Sequence, residues 1–138
     1  MHLDEGLLHL AYRVKGPDRL ALVSDAMRAM DCPEGDYWFG AVDSGTRVRK
    51  QNGVGTTPDG TALASAVVGL DHAVRLMAGY AWAEVPAVVR MASLTPARIL
   101  GLDGECGSLE VGKRADLVVM DAGFHVTDVY VGGVRIGS

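Results

Sequence analysis

Glycine punctuates this chain from end to end, and that limits how long any one element can run. There are 18 glycines among 138 residues, close to twice the roughly 7% share of an average domain. They occur singly or in pairs and form no low-complexity tract, so the chain must turn often for its length. Hydrophobic residues make up 49% and charged residues 22%, the balance of a globular chain rather than a disordered one. Many short elements around apolar cores are expected. The length suits one ordinary domain or a piece of a larger one.

Charge narrows the partners. Thirteen Lys and Arg against seventeen Asp and Glu leave a formal net charge of −4. That balance argues against a nucleic acid or an anionic membrane held by bulk charge. No apolar run reaches the roughly 18–20 residues of a membrane span. The opening Met1-His2-Leu3-Asp4-Glu5 lacks the basic region and apolar core of a signal peptide. Cys32 and Cys106 lie far apart, with no CxxC spacing and no nearby His, so a reducing, cytoplasmic setting is expected.

Periodicity supplies the elements. Leu3, Leu7, Leu8, Leu10, Ala11 and Val14 fall at helical spacing, and Lys15-Gly16-Pro17-Asp18 closes that helix. Leu20-Ala21-Leu22-Val23 is an apolar run of strand length, expected to be buried on both faces in a parallel sheet. A helix leading into a buried strand is half of an α/β repeat. Residues 31–60 hold short β-type pieces around Tyr37-Trp38-Phe39, Thr46–Arg49 and Gly53–Thr57, read as hairpins ending at Pro58-Asp59-Gly60. One helix is expected over about Leu63–Gly79, with Val67, Leu70, Val74, Met77 and Ala78 on one face. A second is expected over about Glu84–Leu100, with Pro86 in its first turn, a kink at Thr95-Pro96, and Val88, Val89, Met91, Ala92, Ile99 and Leu100 buried. The tail reads as strands Leu117–Met120, Val126–Val131 and Val134–Ile136, the last two joined across Gly132-Gly133.

Asp25 is the first candidate for chemistry. It stands at the carboxyl end of an apolar run, where α/β barrels and open sheets place their active sites. An N-cap or an Asx turn would explain the same residue. His2 would share the same end of a barrel, although a terminal His is commonly solvated. His9, His72 and His125 show no ligand-like spacing and read as structural or solvated. Leu63-Ala64-Ser65-Ala66, after Asp59-Gly60-Thr61, reads as a helix start whose free N–H groups could meet an anion, or as a plain start capped by Thr61. No HxH, HExxH, GxGxxG, Walker or GxSxG motif occurs, and the four histidines do not by themselves make a catalytic metal site.

These residues resemble a known family. Leu22-Val23-Ser24-Asp25-Ala26-Met27 is similar to the L-V-T-D-A-M segment of the N-acetylglucosamine-6-phosphate deacetylases, in the amidohydrolase superfamily. Asp59-Gly60-Thr61 with Leu63-Ala64-Ser65 resembles their D-G-T-L-A-G-S. Leu70-Asp71-His72-Ala73-Val74-Arg75 resembles M-D-E-A-V-R. Arg90–Arg98 is nearly identical to R-M-A-S-L-T-P-A-R, and Gly107–Val118 follows G-S-[IL]-x-x-G-K-R-A-D-L-V. The last two segments occur broadly in amidohydrolases; the first two point to this member.

The resemblance implies an α/β fold: the C-terminal part of a (β/α)8 amidohydrolase barrel with strands of a small β-sandwich. Residues 1–101 would belong to the barrel, with a hairpin insertion at about 31–60, and residues 102–138 to the sandwich. It implies a metal-dependent hydrolase that removes the acetyl group from N-acetylglucosamine-6-phosphate. In that family a metal-bound water attacks the amide, and the Asp at the Asp25 position moves the proton. His2 would contact the phosphate, and Leu63, Ala64 and Ser65 would line the substrate. The divalent metal, zinc or iron, takes a Glu and two His from earlier strands, so none is expected in this chain alone. The partners implied are an amino-sugar phosphate and a second subunit in a homodimer. Here A-G-S reads Ala64-Ser65-Ala66, with an extra residue near Ala62, so the glycine that admits the sugar is missing. Two further readings stand beside this one: a catalytically inactive fragment or assembly module, or the tail of a dihydroorotase-like or adenine-deaminase-like enzyme.

Overall fold

A computed structural model describes residues 3–41 and 43–137. His2 lies outside the described residues. In chain order the elements are α1 (Glu5–Lys15), β1 (Gly35–Phe39), β2 (Thr46–Gln51), β3 (Val54–Thr56) and β4 (Leu63–Ser65), then α2 (Leu70–Ala78), α3 (Val85–Ala92) and α4 (Leu94–Ile99), and last β5 (Leu117–Met120), β6 (Val126–Val131) and β7 (Val134–Gly137). They form two compact units, one of Leu3–Val23 with the chain from Leu70 onward, the other of Ser24–Gly69. Among the described residues no helix is long and apolar enough to cross a membrane.

In the first unit, α1 begins and ends on local chemistry. Asp4 caps it, its Oδ1 accepting from the Gly6 N–H at 2.8 Å, and Gly16 stops it at φ 68°. The apolar spacing yields a helix, yet no residue of α1 is buried. Leu8 and Tyr12 pack against the core, while Leu3, Leu7, Leu10 and Val14 are each more than half exposed. That core is Val74, Met77, Ala83, Val88 and Met91. Pro86 sits in the first turn of α3, where its missing N–H costs nothing.

Three expectations fail here. The run Leu20–Val23 joins no sheet; Leu22 N–H donates to the Met91 carbonyl at 2.9 Å, Leu20 and Leu22 are half-buried against the core, and Val23 is exposed. A parallel strand needs a neighbouring strand to pair with and cover on both faces, and among the described residues no strand pairs with this run. The long helix over 84–100 breaks at Ser93 rather than at Thr95-Pro96, because Pro96 falls in the first turn of α4, which it can begin but not join to α3. With the stripe interrupted, Val89, Ile99 and Leu100 lie exposed while Val88 and Met91 are fully buried. The tail agrees with expectation: β5, β6 and β7 form an antiparallel sheet in that order, with Gly132 and Gly133 at φ 57° and 82° in a tight hairpin turn.

In the second unit the hairpins expected between 31 and 60 are present. The sheet runs β1-β2-β3-β4, antiparallel throughout. Asn52 and Gly53 turn the chain at φ 53° and 72°, the left-handed pair such a turn requires. Met27, Ala29, Val48 and Val67 make a small core with Tyr37 and Ala64 against it. The Lys50 ammonium donates to the Ala29 and Cys32 carbonyls at 2.9 and 2.7 Å, tying the start of the unit to β2.

The helix expected from Leu63 is a correction. Leu63, Ala64 and Ser65 form strand β4, paired to β3 through Gly55 and Thr56, and the helix starts only at Leu70. Val67, Val68 and Gly69 are poor helix formers, and Val67 is spent in the core of this unit. The protein is therefore mixed α/β with two small antiparallel sheets. Its parallel contact is the isolated bridge between Ala26 and Ala66.

Candidate functional site around Asp25

Asp25 adopts φ 51°, the left-handed region where side chains other than Gly are uncommon and Asp and Asn are the best tolerated. Its backbone is held there from the far end of the same unit. Ser65 Oγ donates to the Asp25 carbonyl at 2.6 Å. The Ala66 N–H donates to the same oxygen at 3.1 Å, and the Met27 N–H donates back to the Ala66 carbonyl at 3.0 Å. Ser65 is 1% exposed; Asp25 itself is exposed.

The carboxylate of Asp25 is another matter. Among the described residues it accepts no hydrogen bond and forms no ion pair. The turn bond that an Asp could make here comes from its neighbour, with Ala26 N–H donating to Ser24 Oγ at 3.3 Å. No helix follows within capping reach, since the next one begins at Leu70. Neither the cap nor the Asx turn accounts for Asp25. The Asp25 carboxylate faces solvent on a backbone fixed by two hydrogen bonds.

The loop leading to β4 is organised by Asp59, not by a helix cap at Thr61. Asp59 Oδ1 accepts from Thr57 Oγ1 at 2.6 Å, from Thr61 Oγ1 at 2.9 Å and from the Thr61 N–H at 3.2 Å. Those bonds, the Thr57 hydroxyl foremost, hold its carboxyl below the ordinary 3.8. The result is a fixed approach to Leu63, which is exposed, Ala64, which is half-buried, and Ser65, which is buried. Of the candidate residues described, the fold brings Asp25 and Ser65 into contact. The importance of Ser65 to Asp25 carries no local sequence signal, because the two are 40 positions apart.

The other candidates lie elsewhere. His9 stacks on Trp82 with ring centroids 4.7 Å apart, and His72 stands on α2. His125 Nδ1 lies 3.3 Å from the Asp121 carboxylate. Cys32 and Cys106 are free and half-buried. Among the described residues no three His, Cys, Asp or Glu side chains converge as a metal site would need.

Comparison with known proteins adds an independent line. The amidohydrolase family is matched by residues 21–136. The chain is similar to an N-acetylgalactosamine-6-phosphate deacetylase of Escherichia coli O157:H7, 40% identical over 116 residues, which are 84% of this chain and 29% of that protein. It is 35% identical over 134 residues to an N-acetylglucosamine-6-phosphate deacetylase of Vibrio furnissii, covering 96% of this chain and 32% of that one. The structure of N-acetylglucosamine-6-phosphate deacetylase from Pasteurella multocida superposes with a TM-score of 0.90 at 28% identity, over 100% of this chain and 35% of that one. The chain thus spans about a third of the length of these proteins.

Proposed function

The chain belongs to the amidohydrolase family, and from that premise we propose that it supplies the proton-transfer third of an amino-sugar phosphate deacetylase. The reaction is hydrolysis of the acetamide of N-acetylglucosamine-6-phosphate to glucosamine-6-phosphate and acetate. Asp25 takes a proton from the attacking water and delivers it to the departing amine, one group serving both transfers. The observation that carries this reading is the exposed Asp25 carboxylate, unpartnered among the described residues and carried on a backbone that Ser65 and Ala66 hold.

On this reading residues 1–101 belong to the barrel wall and residues 102–138 to a β-sandwich, an assignment supported by the fit over the whole chain to the Pasteurella enzyme. Leu63 and Ala64 line the substrate beside the backbone of Ser65, with His2 at the phosphate. The family implies a divalent metal, zinc or iron, which would activate the attacking water; the described residues offer no cluster to hold it. A homodimer in the cytoplasm completes the proposal.

A second reading differs in one stereocentre. The chain is 40% identical over 116 residues to an N-acetylgalactosamine-6-phosphate deacetylase and 35% identical over 134 to a glucosamine counterpart, so the epimer at C4 is the second substrate to test. The test joins this chain to the amino-terminal two-thirds of the Vibrio enzyme and follows acetate release from both epimers. Asp25→Asn is expected to lower turnover by about 10²–10⁴-fold. A loss smaller than about tenfold, equivalent to about 1.4 kcal/mol in the barrier, would sink the role of Asp25. A hybrid silent toward both sugars would favour the inactive-module reading.

A further inference from the structure

We infer that Ser65 is a positioning residue for Asp25, acting through the backbone rather than through the substrate. The inference rests on the reading of Asp25 as the proton-transferring carboxylate and adds the device that aims it. Asp25 is held at φ 51°, a left-handed conformation that residues other than Gly adopt uncommonly and that local hydrogen bonds help to hold. Here they do so from one place. Ser65 Oγ donates to the Asp25 carbonyl at 2.6 Å and Ala66 N–H donates to it at 3.1 Å, so one carbonyl oxygen uses both lone pairs on two consecutive residues.

The hydroxyl of Ser65 is committed to this task. At 1% exposure it has no solvent to bond, and its donor is spent on Asp25. A buried hydroxyl is retained where its hydrogen bond is made, since an unmade one is costly. Loss of these bonds would free the Asp25–Ala26 peptide to turn about the Cα–C bond, and with the peptide no longer fixed the Cα–Cβ bond would lose the direction in which it holds the carboxylate. Ser65 therefore converts pairing at the end of β4 into the orientation of a group 40 residues earlier.

Two comparisons test this. In the 138-residue chain, carbon shifts and the three-bond HN–Hα coupling of Asp25 report its φ. Ser65→Ala is expected to shift them toward negative φ, and Ser65→Thr, which keeps the hydroxyl, to restore them. In the hybrid enzyme Ser65→Ala is expected to lower kcat by about tenfold or more with KM nearly unchanged, as misplacement of a reacting group does. An Asp25 spectrum that Ser65→Ala leaves untouched overturns the inference. So does a displaced Asp25 with unchanged kcat, in a hybrid that Asp25→Asn inactivates. If Ser65→Ala moves Asp25 but Asp25→Asn leaves turnover intact, the clamp stands and the reading of Asp25 fails.

Discussion

Gly55 packs closely against both β4 and the start of the second unit. A Cβ there would stand 2.8 Å from the Ser65 carbonyl oxygen, 3.5 Å from Val48 Cγ1 and 3.6 Å from Met27 Sδ. Gly55→Ala must push β4 away from β3 and is expected to destabilise the fold by about 1–3 kcal/mol. Urea unfolding checks it, and an unchanged midpoint would refute the packing argument. Asp25→Asn is the opposite case. Asn enters the left-handed region as readily as Asp, and the carboxylate has no partner among the described residues to lose, so the melting temperature should hold within about two degrees of the parent. The sequence singles out Asp25 by its place after an apolar run, a run that joins no sheet. The clamp that holds it was not legible, because a hydroxyl's partner 40 positions away leaves no periodic or spacing signal.

Among the elements, the turn after α1 is tied to the third and fourth helices by one carboxylate. Asp18 Oδ1 accepts from Arg90 Nη1 at 2.8 Å and from Arg98 Nη1 at 3.1 Å. The Arg90 hydrogen bond holds the Asp18 carboxyl below its ordinary 3.8, with the charges of both arginines adding to it against desolvation. A carboxyl depressed in the folded state stabilises fully above its unfolded value and loses that contribution as pH falls through the folded one. Asp18→Asn is therefore expected to lower the melting temperature modestly at neutral pH, with the gap from the parent closing below about pH 4. Equal gaps at pH 7 and pH 3 would contradict the ion pairs. Elements bounded by strong punctuation were legible: the first helix up to its stop at Gly16, the hairpins between 31 and 60, the tail around Gly132-Gly133. Strand β4 was not. Its three residues hold no period, and pairing with Gly55 decides them.

For the whole molecule, apolar surface is left over. Leu7, Leu10 and Val14 are spaced three and four apart and exposed, a seam along one side of α1, and Leu3, just before the helix, is also exposed. Val134 and Ile136 of β7 are exposed as well. Leu20 and Leu22, by contrast, pack on their own core. Self-association through α1 is expected, with sedimentation coefficients rising with concentration and Leu7→Glu with Leu10→Glu restoring a monomer. A concentration-independent monomer in the parent would refute it. Architecture at this scale was legible only through resemblance, because neither periodicity nor composition reveals which strands a partner segment would cover. The Ala26–Ala66 bridge has a further consequence, for the history and engineering of the chain. The segment Ser24–Gly69 leaves and returns through one doorway. Its ends are fixed to each other, and lengthening a flexible loop costs only about 0.6 kcal/mol per doubling. The turn at Asn52-Gly53, which touches none of the residues that fix Asp25, is thus free to lengthen while the doorway that carries Asp25 stays shut.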